Sequence, residues 1–119
     1  MKDTKLNKKE MGNRYEKIVE KHIEKRGYKI LESNYRNFIG EIDIIAKYNE
    51  AIVFIEVKSR KTKQYGLPRE AVTKRKIDKI RKCSLLYLRD NNIYDSPLRF
   101  DVVEVYINEK KINHIKNAF

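Results

Sequence analysis

Only one cysteine, Cys83, occurs in 119 residues, so no internal disulfide can form. A disulfide-stapled secreted fold and a multi-cysteine zinc site are both excluded. Long apolar runs are missing too: the longest, Ala51 to Ile55, is far below the roughly 20 residues needed to span a bilayer. No membrane helix is expected. With four glycines, the chain offers no glycine-rich phosphate loop, and it has no serine nucleophile elbow. The two histidines, His22 and His114, lack metal-ligand partners at useful spacing and are expected to be structural, as is Cys83, a small packing residue along a helix. Residues Met1 to Glu10 are polar and lysine-rich without the apolar stretch of a secretory signal. They read as a flexible basic tail, residues 1–10, on a cytoplasmic protein.

What remains is one domain's worth of chain, expected over residues 11–119. Hydrophobic residues make up 40% of the full sequence, enough for a small core, while its 28 Lys and Arg against 17 Asp and Glu leave a net charge of +11. The surplus is concentrated. Residues 57–82 carry 11 bases and 2 acids, whereas residues 30–56, directly before them, carry 2 bases and 5 acids. A basic block beside an acidic one is either a solvated face or half of a polyanion-binding surface, where each neutralised phosphate releases counterions.

The pattern of apolar residues predicts the elements. Tyr15, Ile18, Val19, His22 and Ile23 recur at helical spacing before Gly27, placing a helix at about 12–26. Tyr28 to Tyr35 reads as a strand. Gly40 to Tyr48 and Ala51 to Ser59 are the strongest strands, separated by the turn-prone Asn49. A basic loop, Arg60 to Arg69, leads to a helix capped by Thr73, with Ile77, Ile80, Ser84 and Leu88 on its inner stripe and Asn91-Asn92 at its end. Arg99 to Ile107 and Lys111 to Lys116 complete the set as strands. The order α-β-β-β-α-β-β implies an α/β fold, a mixed sheet flanked by helices.

A loop centred on Asn49-Glu50 pairs residues whose numbers sum to 99. Asp43 then faces Glu56, Glu41 faces Lys58 and Ile45 faces Phe54, all on one side, with Ile42, Ile44, Val53, Ile55 and Val57 on the other. Two carboxylates across a strand pair repel unless something compensates. Lys58 could do so within an ordinary surface charge network of Glu41, Asp43, Glu56 and Lys58. A divalent cation does better, because Mg²⁺ takes one or two carboxylates plus water and substrate phosphate. In that reading Asp43 and Glu56 hold Mg²⁺ or Mn²⁺, and Lys58 orients water or stabilises charge developing at the phosphate.

The segments Gly40-Glu41-Ile42-Asp43-Ile44-Ile45-Ala46 and Phe54-Ile55-Glu56-Val57-Lys58-Ser59-Arg60 resemble those of the YraN family of small bacterial proteins. That family belongs to the restriction-endonuclease-like, or PD-(D/E)XK, superfamily and is similar to archaeal Holliday-junction resolvases. The resemblance runs from about Gly12 to Val105 and includes Asn34-Tyr35-Arg36, Ala71-Val72-Thr73 with Lys76, and Arg99-Phe100-Asp101-Val102-Val103. It implies a three-layer α/β/α fold with a central mixed sheet. It also implies that Asp43 and Glu56 match the metal-binding acids, Lys58 the catalytic lysine, and Glu16 an additional acid from the first helix. By spacing alone Glu16 is a solvated helix glutamate among Lys17, Glu20 and Lys21. Ile42 stands where the superfamily's name has proline.

Lys74, Arg75 and Lys76 open the second helix, where cations oppose the helix dipole at about 0.3–1 kcal/mol each. A bound phosphate would reverse that sign. Arg60, Lys61, Lys63, Arg69 and Lys74 to Lys76 are therefore expected to contact a nucleic-acid backbone, with Tyr65 able to stack on an unpaired base. The function expected is a metal-dependent endonuclease acting on DNA, at branched or structured sites, with a homodimer as the expected assembly because superfamily resolvases cut symmetric junctions as dimers. The alternatives are a DNA- or RNA-binding accessory protein that keeps the fold without turnover, and a structural partner within a repair or processing complex.

Overall fold

The structure is a computed structural model, described here over residues 8–61 and 73–119, with side chains from residue 13 onward. Its elements follow as α1 (Lys8–Glu24), β1 (Lys29–Arg36), β2 (Glu41–Tyr48), β3 (Ala51–Arg60), α2 (Lys74–Asp90), β4 (Leu98–Tyr106) and β5 (Lys111–Ile115). The five strands form one sheet in the order β1-β2-β3-β4-β5. Only β3 and β4 run parallel, joined across the sheet by α2, so the sheet is mixed.

Two apolar layers sandwich that sheet. Val19 and Ile23 of α1 pack on Ile44, Ala46, Val53, Ile55 and Val103, while Ile80, Cys83, Tyr87 and Leu88 of α2 pack on Ile45, Ile52 and Phe54. The arrangement is the expected α/β/α three-layer fold. Strands β2 and β3 are buried on both faces, which is why they read as nearly continuous Ile, Val and Phe. Phe54 is wholly enclosed, edge-on to Tyr87 and stacked on Phe100; truncating such a ring to alanine costs about 3–5 kcal/mol.

Local chemistry explains the boundaries. The hairpin turn is two residues, Asn49-Glu50, with Tyr48 paired to Ala51 and Asn49 at a φ of 53°. The pairs Ile44 with Ile55 and Ile45 with Phe54 follow the register that sums to 99. Thr73 caps α2, its hydroxyl accepting from the Lys76 N–H at 3.2 Å, and Asn91 closes the other end. Helix α1 begins at Lys8, earlier than the expected Gly12, and so takes in the end of the stretch read as a tail. Ile18, one of the apolar residues recurring at helical spacing, is 41% exposed, while Val19 and Ile23 are fully buried. Cys83 is a fully buried packing residue.

One expectation about faces fails, and the failure matters. Strict alternation puts Ile42 beside Ile44, yet Ile42 packs in the α2-side core and Ile44 in the α1-side core. The β1–β2 ladder passes from Ser33↔Ile44 to Tyr35↔Ile42, skipping Asn34 and Asp43. Asn34 sits at a φ of 54°, the left-handed region that asparagine tolerates, and the alternation breaks there.

Candidate active site

The break lies where β2 and β3 part. Their ladder ends at Ile44↔Ile55, one step before Asp43 would face Glu56. In place of a backbone pair, the Asp43 carboxylate accepts the Val57 N–H at 2.8 Å. The side chain thus substitutes for the missing strand partner, and the separated strands leave a cleft of about 330 Å³. Tyr15 and Glu16 of α1 wall it on one side and Lys76 of α2 on the other, with Glu41, Asp43, Glu56 and Lys58 from the sheet between them.

Four elements therefore deliver charge to one place. Glu16 and Glu56 are buried, and Asp43 is half-buried. Burial raises the Asp43 carboxyl, and the neighbouring Glu56 and Glu16 raise it further against the single Val57 N–H, pushing it to about 8. Burial likewise raises Glu16, opposed by its hydrogen bond to Asp43, and its Oε1 has no hydrogen-bond partner. An orphaned buried carboxylate oxygen beside two other carboxylates is costly unless a cation arrives.

Glu56 is treated differently. Lys76 forms a close ion pair with its Oε2, and Lys58 lies 3.6 Å from the same atom. Lys76 loses solvation in the cleft, but its bond to Glu56 and the attraction of Glu56 and Asp43, with its contact to Lys58, together outweigh this and hold its ammonium above the usual lysine range. For Lys58, burial and the adjacent Lys76 together pull it below that range.

The donors are all carboxylate oxygens, which suit a hard divalent cation. Among the described residues no group of three or more His, Cys, Asp or Glu is set to hold a metal ion. Asp43 and Glu56, two carboxylates lining one cleft, fit a cation that takes one or two carboxylates and keeps waters, as Mg²⁺ does.

The structure brings together Glu16, Asp43, Glu56, Lys58 and Lys76. The remaining basic residues disperse. Lys74 and Arg75 are exposed in the first turn of α2, which contains no acid, and Lys61 is exposed beyond β3. Arg60 is mostly buried, 3.3 Å from the fully buried Glu104. Lys63, Tyr65 and Arg69 lie outside the described residues. Glu41, expected opposite Lys58, instead pairs with Arg36 at 2.8 Å.

Sequence reasoning missed two clusters. Glu104 accepts from Tyr106 Oη at 2.6 Å and from Asn113 Nδ2 at 3.1 Å, while burial and this carboxylate push the Tyr106 phenol up to about 12. Asp101, equally buried, contacts Arg99 at 2.9 Å, His114 Nε2 at 2.6 Å and the Asn117 N–H at 3.1 Å. Both clusters tie β4 to β5 or to the turn that follows it, and only the odd charge within an apolar strand, Arg99 to Tyr106, hinted at them.

Comparison with known proteins identifies relatives along nearly the whole chain. The model of the Uncharacterised protein family UPF0102 matches residues 15–105. A UPF0102 protein of Clostridioides difficile is 50% identical over 96% of this chain and 100% of its own length. One from Caldanaerobacter subterraneus is 48% identical over 97% and 98% respectively. Among solved structures, the crystal structure of a repair endonuclease from Pyrococcus abyssi is 20% identical with a TM-score of 0.46, over 92% of this chain and 42% of that one.

Proposed function

We propose, for a chain that belongs to UPF0102, the family its hairpin motif resembles under the name YraN, that it is a divalent-metal-dependent endonuclease that hydrolyses DNA phosphodiester bonds at branched or structured sites. The observation that carries this reading is the convergence of Glu16, Asp43 and Glu56 on one cleft, where Asp43 has a single N–H donor against two neighbouring carboxylates and Glu16 Oε1 has no hydrogen-bond partner. Buried, mutually repelling carboxylates store electrostatic energy that a fold has no structural reason to keep.

Asp43 and Glu56 would hold Mg²⁺ or Mn²⁺, and Glu16, which lines the same cleft, would accept a hydrogen bond from a water beside it. When bound, such a cation polarises the scissile phosphate and makes hydroxide available near neutral pH. Val57 N–H fixes the Asp43 carboxylate in orientation, so the donor does not have to be ordered at the moment of binding. Lys58, on the same strand as Glu56, presents its ammonium inside the cleft, where positive charge offsets the negative charge that develops on the phosphate oxygens. Lys76, now paired with Glu56, would be free to contact the substrate phosphate with a cation on that carboxylate. Lys74 and Arg75, exposed beside it, extend the cationic rim along the DNA backbone.

The second reading, a nucleic-acid-binding protein without turnover, is favoured by one feature: Glu56 is already neutralised by two lysines. Incubation of the purified protein with labelled junction, flap, single-stranded and duplex DNA in Mg²⁺ or Mn²⁺ separates the two. Cleavage by the native protein, lost in Asp43→Asn and Glu56→Gln, supports the nuclease. Salt-sensitive binding without cleavage in either metal supports the second reading, and cleavage that persists in both variants sinks the site assignment.

A further inference from the structure

The turn between β1 and β2, residues 37–40, is built far more firmly than a connecting loop requires. Asn37 organises it: its Oδ1 accepts the Ile39 N–H at 2.9 Å and the Gly40 N–H at 3.4 Å, and its own N–H donates to the Gly40 carbonyl at 2.9 Å. The Asn37 Nδ2 ties the turn to its surroundings by donating to Tyr35 Oη at 2.9 Å and to the Cys83 carbonyl of α2 at 3.2 Å. Ile39 is held in the α2-side core. On this mount the Phe38 ring is 89% exposed.

A lone apolar residue in water needs no special explanation. Two neighbours make this one different. Gly40 has neither a left-handed φ nor a crowded Cβ position, since an added methyl would meet nothing within 4 Å. Neither the backbone nor internal packing accounts for glycine there, whereas close approach by an outside backbone would. Gly40 also borders a groove of about 180 Å³, walled on α2 by Lys76, Lys79 and Ile80, that shares Glu41 and Lys76 with the cleft. Glu41 does not repel an anion in this groove strongly, because Arg36 holds it at 2.8 Å.

We infer that Phe38, Gly40 and Lys79 form a nucleotide subsite on the rim of the cleft, where a phosphodiester backbone passes over Gly40 against Lys79 and an unpaired base stacks on Phe38. This rests on the reading of the cleft as a nuclease site and names what that site selects: a strand whose bases are unpaired, as at a flap, junction or end. Bases inside a duplex have their faces covered and cannot stack on an external ring. A second copy of a chain with charge +11 is a poorer occupant for a lysine-walled groove than a polyanion.

The chain contains no tryptophan, so Phe38→Trp places a single indole reporter at the rim. Its emission is titrated in EDTA with a single-stranded oligothymidine and with a blunt duplex of matching charge. Alongside, binding of both is measured for Phe38→Ala and Gly40→Val, with thermal melting to show that the fold is kept. The subsite requires quenching by the single strand and not by the duplex, single-strand binding weakened about ten-fold or more in Phe38→Ala, and duplex binding unchanged. Gly40→Val must weaken single-strand binding as well. Unquenched emission at saturating oligothymidine, or native affinity in Phe38→Ala, overturns the subsite. So does an emission change driven by protein concentration alone, which would assign Phe38 to self-association. Because EDTA removes cleavage from the readout, quenching in a protein that never cuts DNA upholds the subsite while the nuclease fails, and cutting without quenching does the reverse.

Discussion

Asp43 and Asp101 stand on neighbouring parts of the same sheet and meet opposite surroundings. Asp101 is completely enclosed; burial works against its charge, but His114, Arg99 and the Asn117 N–H together hold its carboxyl below the usual range. Asp43 is less enclosed, yet burial and two neighbouring carboxylates drive it up to about 8 with one N–H in compensation. The contrast teaches that burial alone does not mark a functional acid. A carboxylate supplied with donors is part of the frame, and one left among other carboxylates is part of a site that expects a partner.

The contrast breaks most visibly in stability. Asp101→Ala strands Arg99 and His114 without their buried counter-charge and is expected to cost about 3–5 kcal/mol in urea unfolding. Asp43→Asn removes an ionisation that burial and two neighbouring carboxylates oppose, and should leave the metal-free protein as stable at neutral pH and more so at alkaline pH. Equal losses for the two variants would erase the distinction.

On the functional side, Lys58→Met should keep the fold and lower the cleavage rate by about 10²–10³-fold, the cost of removing one group that stabilises developing charge. The same change in the Asp101 cluster has no counterpart, since none of its side chains lines the cleft. A smaller effect separates the two acids by ligand: at 100 times its dissociation constant, Mg²⁺ should stabilise the native protein by about 2.7 kcal/mol and leave the melting temperature of Asp43→Asn unmoved.

The pH profiles should differ in sign. The Asp43 carboxyl is raised on folding, so its contribution is fully present below its ordinary value near 3.8, declines as pH rises and is lost through about 8 in the metal-free protein. Asp101 is held down, so its contribution is present above the ordinary value and disappears as pH falls through the lowered one. Urea midpoints across pH should therefore fall on both sides of an optimum. Asp43→Asn should flatten only the alkaline side.

Much of this was legible in the residues. The β2–β3 register followed from an Asn49-Glu50 turn, Thr73 announced the start of α2, and doubly buried strands betrayed themselves by unbroken Ile and Val. That Asp43, Glu56 and Lys58 lie close together could be read from the same register, although the ladder itself ends before Asp43 would face Glu56. What could not be read is where regularity stops. Asn34 adopts a positive φ, Ile42 changes face, and Asp43 uses its carboxylate in place of a backbone partner, none of which a period of two contains. Lys76 reaching Glu56, and Arg60 turning inward to Glu104, depend on where α2 and β4 dock, which is set by tertiary packing. Among the described residues, the basic block between Val57 and Lys82 thus supplies cations inside the cleft, a buried ion pair and an exposed rim.

The central claim is that the carboxylates at the parting of β2 and β3 form a cation site. Anomalous diffraction from crystals grown with Mn²⁺ tests it most directly. The account predicts a peak in contact with Asp43 and Glu56, with the Lys76 ammonium displaced from Glu56. Crystals saturated with Mn²⁺ that show no peak there, and Lys76 still on Glu56, would contradict it.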